Sequence, residues 1–305
     1  MSVLVMYSLP PEGLEPGRLA GEFELHGAAE GIVDVLSGSR AVGVRGELAE
    51  ILAVLDTHQP DVVFNLCEAP LGRPEFEPHV AALLEWRGVP FTGSGSETLA
   101  LCRRKDRTKA VLAAAGVRVP GTDRFPCIVK PADQDGSAGI RPDSVCRTPT
   151  ERAAAIARIQ GPTVVEDFLT GPEFVVSLWG ARQPDYISIG EAQFEDGLEL
   201  FTYAAKWELE SDDYRRALLH YHTPMETELR QLLTDAAQRS WRAVGARGYL
   251  RLDIRLDESG LPHVLDVNPN PEVTPEMGMH RAVTESGWDW DEFIRRQVEW
   301  ASGPR

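Results

Sequence analysis

Between Gly248 and Asn270 the chain reads Gly-Tyr-Leu-Arg-Leu-Asp-Ile-Arg-Leu, then Asp257-Glu-Ser-Gly-Leu-Pro, then His263-Val-Leu-Asp-Val-Asn-Pro-Asn. Two runs of alternating apolar and polar residues around an Asp-Glu-Ser-Gly turn signal predict a β-hairpin. Successive side chains in a strand point to opposite faces. Leu250, Leu252, Ile254 and Leu256 are therefore expected on a core face, and Arg251, Asp253 and Arg255 on the other. On the return strand Leu265 and Val267 should join the first face, with Asp266 and Asn268 on the second. Asp253, Asp266 and Asn268 then make a small set of hard oxygen donors. Such a set suits Mg²⁺, or Mn²⁺ in its place, shared between protein and substrate phosphates. Arg251 would meet the anion. A polar sheet face turned to water is the plainer alternative. The abrupt Asn-Pro-Asn-Pro stop, which keeps Asn268 at the mouth of the sheet, favours the site.

The rest of the chain sets bounds. Its 305 residues suffice for about two or three domains. With 43% hydrophobic and 26% charged residues it has the composition of a globular protein. No apolar run approaches the roughly 20 residues that span a bilayer, and Met-Ser-Val-Leu-Val-Met-Tyr has the look of a strand rather than an export signal. A cytoplasmic protein without membrane partners is expected. A net charge of −16 argues against a nucleic-acid surface. Cys67, Cys102, Cys127 and Cys146 lack paired metal spacing and are expected as reduced, buried thiols.

Residues 1 to about 90 alternate strand-like Val3–Met6, helical 47–55, strand 61–66, helical 79–86 and strand-like 89–93, which predicts a small parallel sheet flanked by helices. Pro10 to Gly31 shows no convincing period. One helix is expected over 97–115, carrying Arg103, Arg104, Lys105, Arg107 and Lys109; a solvated basic face competes there with a phosphate site. Phe125 to Lys130 reads as a buried strand whose lysine needs an anion to justify its desolvation. The small-residue loop Asp133 to Gly139 follows, with Gly136 and Ser137 placed to present backbone N–H groups to phosphate. Thr163 to Leu178 reads as two strands joined by a turn flanked by Glu166 and Glu173. Two carboxylates beside Val165, Phe168 and Leu169 could hold a nucleoside's donors, and ordinary turn acids are the competing reading. Strands are expected over 186–194 and 199–207, an irregular acidic lid over 208–222, and packing helices over 223–244 and 288–300.

Taken in order, Lys105, Lys130, the Gly136-Ser-Ala-Gly loop, Glu166 to Glu173, Lys206, Arg251-Leu-Asp253 and Asp266-Val-Asn268 resemble the ATP-grasp superfamily, and within it D-alanine–D-alanine ligases. Phe91-Thr-Gly-Ser-Gly, Leu169-Thr-Gly-Pro-Glu-Phe and Gly248-Tyr-Leu-Arg-Leu-Asp carry the closer likeness, which runs from about Val62 to Asn270. The resemblance implies a three-domain α/β and α+β fold with ATP between two antiparallel sheets, divided at 1–92, 93–180 and 181–305. It implies that Lys105 and Lys130 contact phosphates and the adenine edge, Glu166 the adenine amino group beside Phe168, and Glu173 the ribose. Gly136 and Ser137 would cover the phosphates and Lys206 approach them. Arg251 would meet the transferring group, with Ser137 and Lys206 sharing the catalytic work, and Asp253, Asp266 and Asn268 would hold two Mg²⁺ ions. The implied reaction joins a carboxylate to an amine through an acyl phosphate. The implied partners are an amino acid or related carboxylate and an amine, with a homodimer as the assembly common among relatives.

The chain also departs from the family. Ser8-Leu-Pro-Pro-Glu replaces a glycine-rich strand end, Trp207 replaces a tyrosine after the lysine, and Pro271-Glu272 and Met277 replace a Pro-Gly turn and a serine. Nucleotide handling is expected to be intact and both amino-acid pockets altered. The alternatives are an authentic D-alanine–D-alanine ligase, a regulatory protein that clasps ATP without ligation, and a kinase that stops at the acyl phosphate.

Overall fold

The structure, a computed structural model, describes residues 1–10, 20–122, 124–134, 136–137, 139–208, 210–221 and 223–303; the side chains of 20–24 and 207 are also outside the description. The N-terminal part contains β1 (Val3–Ser8), α1 (Ala20–Val35), β2 (Arg40–Val44), α2 (Leu48–His58), β3 (Val62–Leu66) and α3 (Glu77–Arg87). The strands pair in the order β2-β1-β3, all parallel. As sequence alternation required, the helices cover both faces: Ile32 and Leu25 pack on one side, Ile51, Leu55 and Leu84 on the other. Phe91 adds a single parallel bridge to Val63 in place of a full strand. Much of the stretch that showed no period, 20–31, is helical. Its three glycines blur the apolar stripe, yet Leu25, Ala28, Ala29 and Ile32 form one buried face. Residues 11–19 of that stretch lie outside the described residues.

The expected helix over 97–115 is two, α4 (Ser96–Cys102) and α5 (Lys105–Ala114). Arg104 is extended at φ −113° and ψ 93°, and breaks the run. The break turns Lys105 inward, and its N–H donates to the Ala132 carbonyl at 2.8 Å.

Next come β4 (Cys127–Pro131), β5 (Val145–Cys146), α6 (Pro149–Arg158) and β6 (Thr163–Asp167), with the strands in an antiparallel sheet of order β5-β4-β6. β7 (Glu173–Gly180) does not fold back on β6. It enters a second antiparallel sheet with β8 (Tyr186–Phe194), β9 (Ala217–Tyr221), β10 (Gly248–Leu256) and β11 (Pro262–Asn268), in the order β11-β10-β7-β8-β9. The turn predicted between Glu166 and Glu173 is thus a crossing from one sheet to the other. The sheets change over between Asp167 and Glu173, so a division at 180/181 falls inside the large sheet, between paired β7 and β8.

Residues 199–207, expected as a strand, instead end in α7 (Tyr203–Trp207), capped by the Thr202 hydroxyl, which accepts from the Ala205 N–H. The stretch read as an irregular lid contains α8 (Asp212–Arg216) and β9 (Ala217–Tyr221), which closes the edge of β8. His222 lies outside the described residues, as does the side chain of Trp207. α9 (Thr227–Val244) packs Leu233, Ala237 and Trp241 under the large sheet. The hairpin follows as β10 (Gly248–Leu256) and β11 (Pro262–Asn268), then α10 (Gly278–Thr284) and α11 (Trp290–Ser302). Gly248, at φ +75°, lies so close to Gly93 that a Cβ would sit 3.0 Å from its backbone, which fixes the hairpin's root against the N-terminal part. No helix among the described residues is long and apolar enough to cross a membrane.

Candidate active site

The hairpin builds the floor. Leu250, Leu252 and Ile254 are completely buried in the core, and Asp253 lies opposite Asp266, as Arg251 lies opposite Asn268. The return strand carries a correction. The register slips between Asp253 and Ile254, so Val264 rather than Leu265 faces Ile254. Leu265 is the extra residue of this bulge, and it lines the cleft beside Asp266 instead of the core. A bulge adds one residue to one strand and re-aims its neighbours. The apolar count alone could not locate it.

A cleft runs between the two antiparallel sheets. Ile128, Lys130 and Glu166 of the small sheet face Glu173, Asp253, Arg255 and Asp266 of the large one. Lys105, Ser137, Phe168 and Lys206 complete the polar and aromatic lining. Apolar Leu200, Phe201 and Leu265 were not anticipated there, because each sits in a segment assigned to another face or element.

Charges in this cleft are paired in a definite way. Lys105 Nζ donates to both oxygens of Asp266, at 3.0 and 2.9 Å. Lys206 Nζ lies 3.4 Å from Asp253 Oδ2, and Arg251 reaches Asp253 through Nε at 3.1 Å and a terminal nitrogen at 3.4 Å. Glu166 receives Lys130 at 3.2 Å and also Lys109. Lys109 was grouped with the basic helix face by sequence alone, and the break at Arg104 is what brings it inward. Glu173 pairs with Arg255 at 3.4 Å, and that guanidinium lies 4.9 Å from the Phe168 ring centroid while its Nε donates to the Gly171 carbonyl at 2.9 Å.

Burial disfavours charge on Asp253, Asp266, Glu173, Glu166 and Lys206, and partners decide which keep it. Burial pushes Asp253 up, but Arg251 and Lys206 outweigh it and hold the carboxyl well below the usual range. Burial likewise opposes ionisation of Asp266, and Lys105 brings it down. Glu173 is raised because burial exceeds the help from Arg255. Burial lowers Lys206, which Asp253 only partly offsets. For Glu166 burial is overcome by Lys130 and then Lys109, which bring it from 4.5 to about 2. A folded value below the ordinary one stabilises the fold above pH 4.5, and this contribution is lost as pH falls toward 2. The cluster is therefore expected to contribute about 3 kcal/mol that disappears across that window. Acid unfolding followed by circular dichroism checks this: Glu166→Gln should flatten the profile there, and an unchanged profile would refute it.

Ser137 holds φ at 61°, a left-handed conformation costly for a residue with a Cβ, and its carbonyl accepts from the Ile140 N–H at 2.9 Å. Gly136, at φ 62°, lines the neighbouring cavity rather than the main cleft. Asp135 and Ala138 of the same loop lie outside the described residues. Asn268 also borders that neighbouring cavity, and its Oδ1 accepts from the Asn270 N–H at 2.9 Å. The structure thus brings Asp253 and Asp266 together and sets Asn268 one step aside. Among the described residues no group of three or more His, Cys, Asp or Glu is arranged to hold a metal ion by itself. Two facing carboxylates nonetheless fit the way Mg²⁺ is held jointly with phosphates. All four cysteines are free and buried, and burial pushes the Cys67 thiol up, which leaves it inert as a nucleophile.

The family model described as D-ala D-ala ligase C-terminus matches residues 100–299. The chain is 29% identical to an uncharacterized protein, y4sG, of Sinorhizobium fredii over 94% of its own length and 88% of that protein. It is 30% identical to the D-alanine–D-alanine ligase of Chromohalobacter salexigens over 83% of this chain and 81% of that one. In fold it matches the D-alanine–D-alanine ligase of Bacillus anthracis, crystallised with ATP, at a TM-score of 0.74 and 17% identity, covering 99% of this chain and 97% of the other. With the two-sheet cleft and its ordered lysines and acids, these likenesses show that the chain belongs to the ATP-grasp D-alanine–D-alanine ligase family.

Proposed function

We propose that this protein is an ATP- and Mg²⁺-dependent ligase that joins a carboxylate to an amine, with amino-acid pockets that differ from those of a D-alanine–D-alanine ligase. The observation that carries the reading is the face-to-face pair Asp253 and Asp266, each neutralised by cations at the floor of a cleft between two antiparallel sheets. Phosphoryl transfer asks for positioned positive charge more than for covalent participation, and that is what this floor offers.

In this reading ATP lies in the cleft, its base and ribose near Glu166, Phe168 and Glu173 and its phosphates toward Lys105, Lys130 and Ser137. Asp253 and Asp266 would hold Mg²⁺, with Asn268 as a further oxygen donor; the ion would neutralise phosphate charge. A substrate carboxylate oxygen attacks the γ-phosphorus, the bond to the β–γ bridging oxygen breaks, and ADP and an acyl phosphate result. An uncharged amine then adds to the acyl carbon, the C–O bond to phosphate breaks, and amide, phosphate and one proton are released. Arg251 stabilises charge on the transferring group and on the tetrahedral oxygen. Lys206, brought to the floor by α7, neutralises the phosphates and Asp253 alike.

The amino-acid end supports altered pockets. It is bordered by Glu68, Glu272 and Met279, and Pro271-Glu272 and Met277 replace the family's Pro-Gly turn and serine. Phosphate release over D- and L-amino acids and dipeptides with ATP and Mg²⁺ tests the reading, with Lys130→Ala as the control. Turnover is expected with a pair other than two D-alanines. Robust release with D-alanine alone would make this an authentic D-alanine–D-alanine ligase, and an acyl phosphate trapped by hydroxylamine without any amide would make it a kinase.

A further inference from the structure

The two glutamates of the cleft are partnered very differently. Glu166 is taken on both oxygens, by Lys109 on one and by Lys130 at 3.2 Å on the other. Glu173 is buried to a similar degree, 5% exposed against 3%, yet among the described residues it accepts no hydrogen bond and has a single ion pair, from Arg255 to its Oε2 at 3.4 Å. A buried carboxylate oxygen without a donor is costly. Glu173 lines the cleft, so the donor it is short of can come from what the cleft holds. Under the nucleotide reading, on which this inference rests, the ribose hydroxyls are that donor.

A glutamate side chain is long and loses considerable rotamer freedom when it is fixed. Arg255 is placed to do the fixing. It stands directly opposite Glu173 in the ladder of β10 and β7, so the two side chains leave the sheet as a cross-strand pair. The guanidinium is itself held from several sides. Its Nε donates to the Gly171 carbonyl at 2.9 Å, and its central carbon lies 4.9 Å from the Phe168 ring centroid and 5.9 Å from that of Phe194. Cation over ring is a favourable contact, and the buried setting strengthens it. Gly171 has no room to move aside, because a Cβ there would meet the Leu256 carbonyl oxygen at 2.5 Å. With Nε engaged, the rest of the planar fork is turned to Glu173. A lysine would bring the charge without holding both partners at once.

We propose that Arg255 is a positioning residue for the sugar of the nucleotide: it holds Glu173 by one oxygen and leaves the other to the ribose hydroxyls, and so sets the preference of the cleft for a ribonucleotide. Calorimetric titration of the full-length protein with ATP and with 2′,3′-dideoxyATP, both with Mg²⁺, tests this by binding alone, whatever the carboxylate and amine substrates are. The protein is expected to favour ATP by about tenfold or more, the equivalent of one charge-assisted hydrogen bond. Arg255→Met should cut that preference to under about threefold, and Arg255→Lys should leave it in between. Made in a Glu173→Gln background, Arg255→Met should not move the ratio further, because the residue acts through the carboxylate. A purely structural Arg255 would lower the melting temperature or weaken both nucleotides alike, and an unchanged ratio in Arg255→Met therefore overturns the proposal. If Arg255→Met does not fold, Arg255→Lys decides in its place: a reduced ratio supports the assignment and the unaltered ratio overturns it. Equal binding of the two nucleotides by the unmutated protein also overturns it while leaving the nucleotide reading intact, whereas binding of neither would remove both.

Discussion

Arg251→Ala is expected to lower turnover by about two to three orders of magnitude, the range seen when a positioned donor to transition-state charge is removed. ATP affinity should stay within about threefold, because losing an interaction made only in the transition state lowers kcat and kcat/KM together. The structure separates the two effects. Arg251 lines the neighbouring cavity and not the main cleft, whereas Lys206 lines both and remains to neutralise Asp253 after the substitution. Arg251→Lys should recover part of the rate, since it keeps the charge but loses the planar fork that reaches Asp253 through two nitrogens. Steady-state phosphate release with ATP varied separates rate from affinity. A loss of affinity as large as the loss of rate would place Arg251 in ground-state binding instead.

Glu166→Ala should cost the fold about 3–5 kcal/mol, the usual result of stripping one member from a buried ionic group. The alanine would leave Lys109 and Lys130 facing one another on the inner side of the small sheet, where Glu166 itself is 3% exposed. At about 2–4 °C per kcal/mol, the melting temperature should drop on the order of 10 °C. Adding Lys109→Met to this variant should return part of the loss by removing one of the two stranded charges. Scanning calorimetry checks both. A drop under about 2 °C would mean that the cluster serves the ligand and contributes little to the apo fold.

Much of this architecture was legible because it follows from side-chain alternation and helix punctuation. The core face of β10, the pairing of Asp253 with Asp266, the parallel N-terminal sheet and the packing helices α9 and α11 are all written locally. What escaped reading depends on contacts between distant segments. Glu166 and Glu173 looked like the two flanks of one turn because nothing within Leu169-Thr-Gly-Pro says which sheet each strand will join. The Leu265 bulge adds one residue without changing the apolar count. Lys109 belonged to a basic helix face until the extended Arg104 turned α5 toward the cleft. Residues 199–207 have the β-prone composition of Glu-Leu-Phe-Thr-Tyr, and the Thr202 cap that starts α7 weighs more. Glu68 and Glu77 could not be placed beside Arg251 from sequence, because what brings them to the same cavity is the seating of the N-terminal part on the end of the hairpin.

The passage from Asp167 to Glu173 has a mechanical consequence. Six residue steps span at most about 21 Å when fully drawn out, and the far end of this leash is tied down: Arg255 holds the Gly171 carbonyl and the Leu256 N–H holds that of Pro172. The small sheet is therefore kept within that reach of the large one, and its other chain entry is tied to the same sheet, where the Val264 N–H donates to the Arg118 carbonyl at 2.9 Å. Whatever fills the cleft is held between two walls that cannot part at either end of the connection.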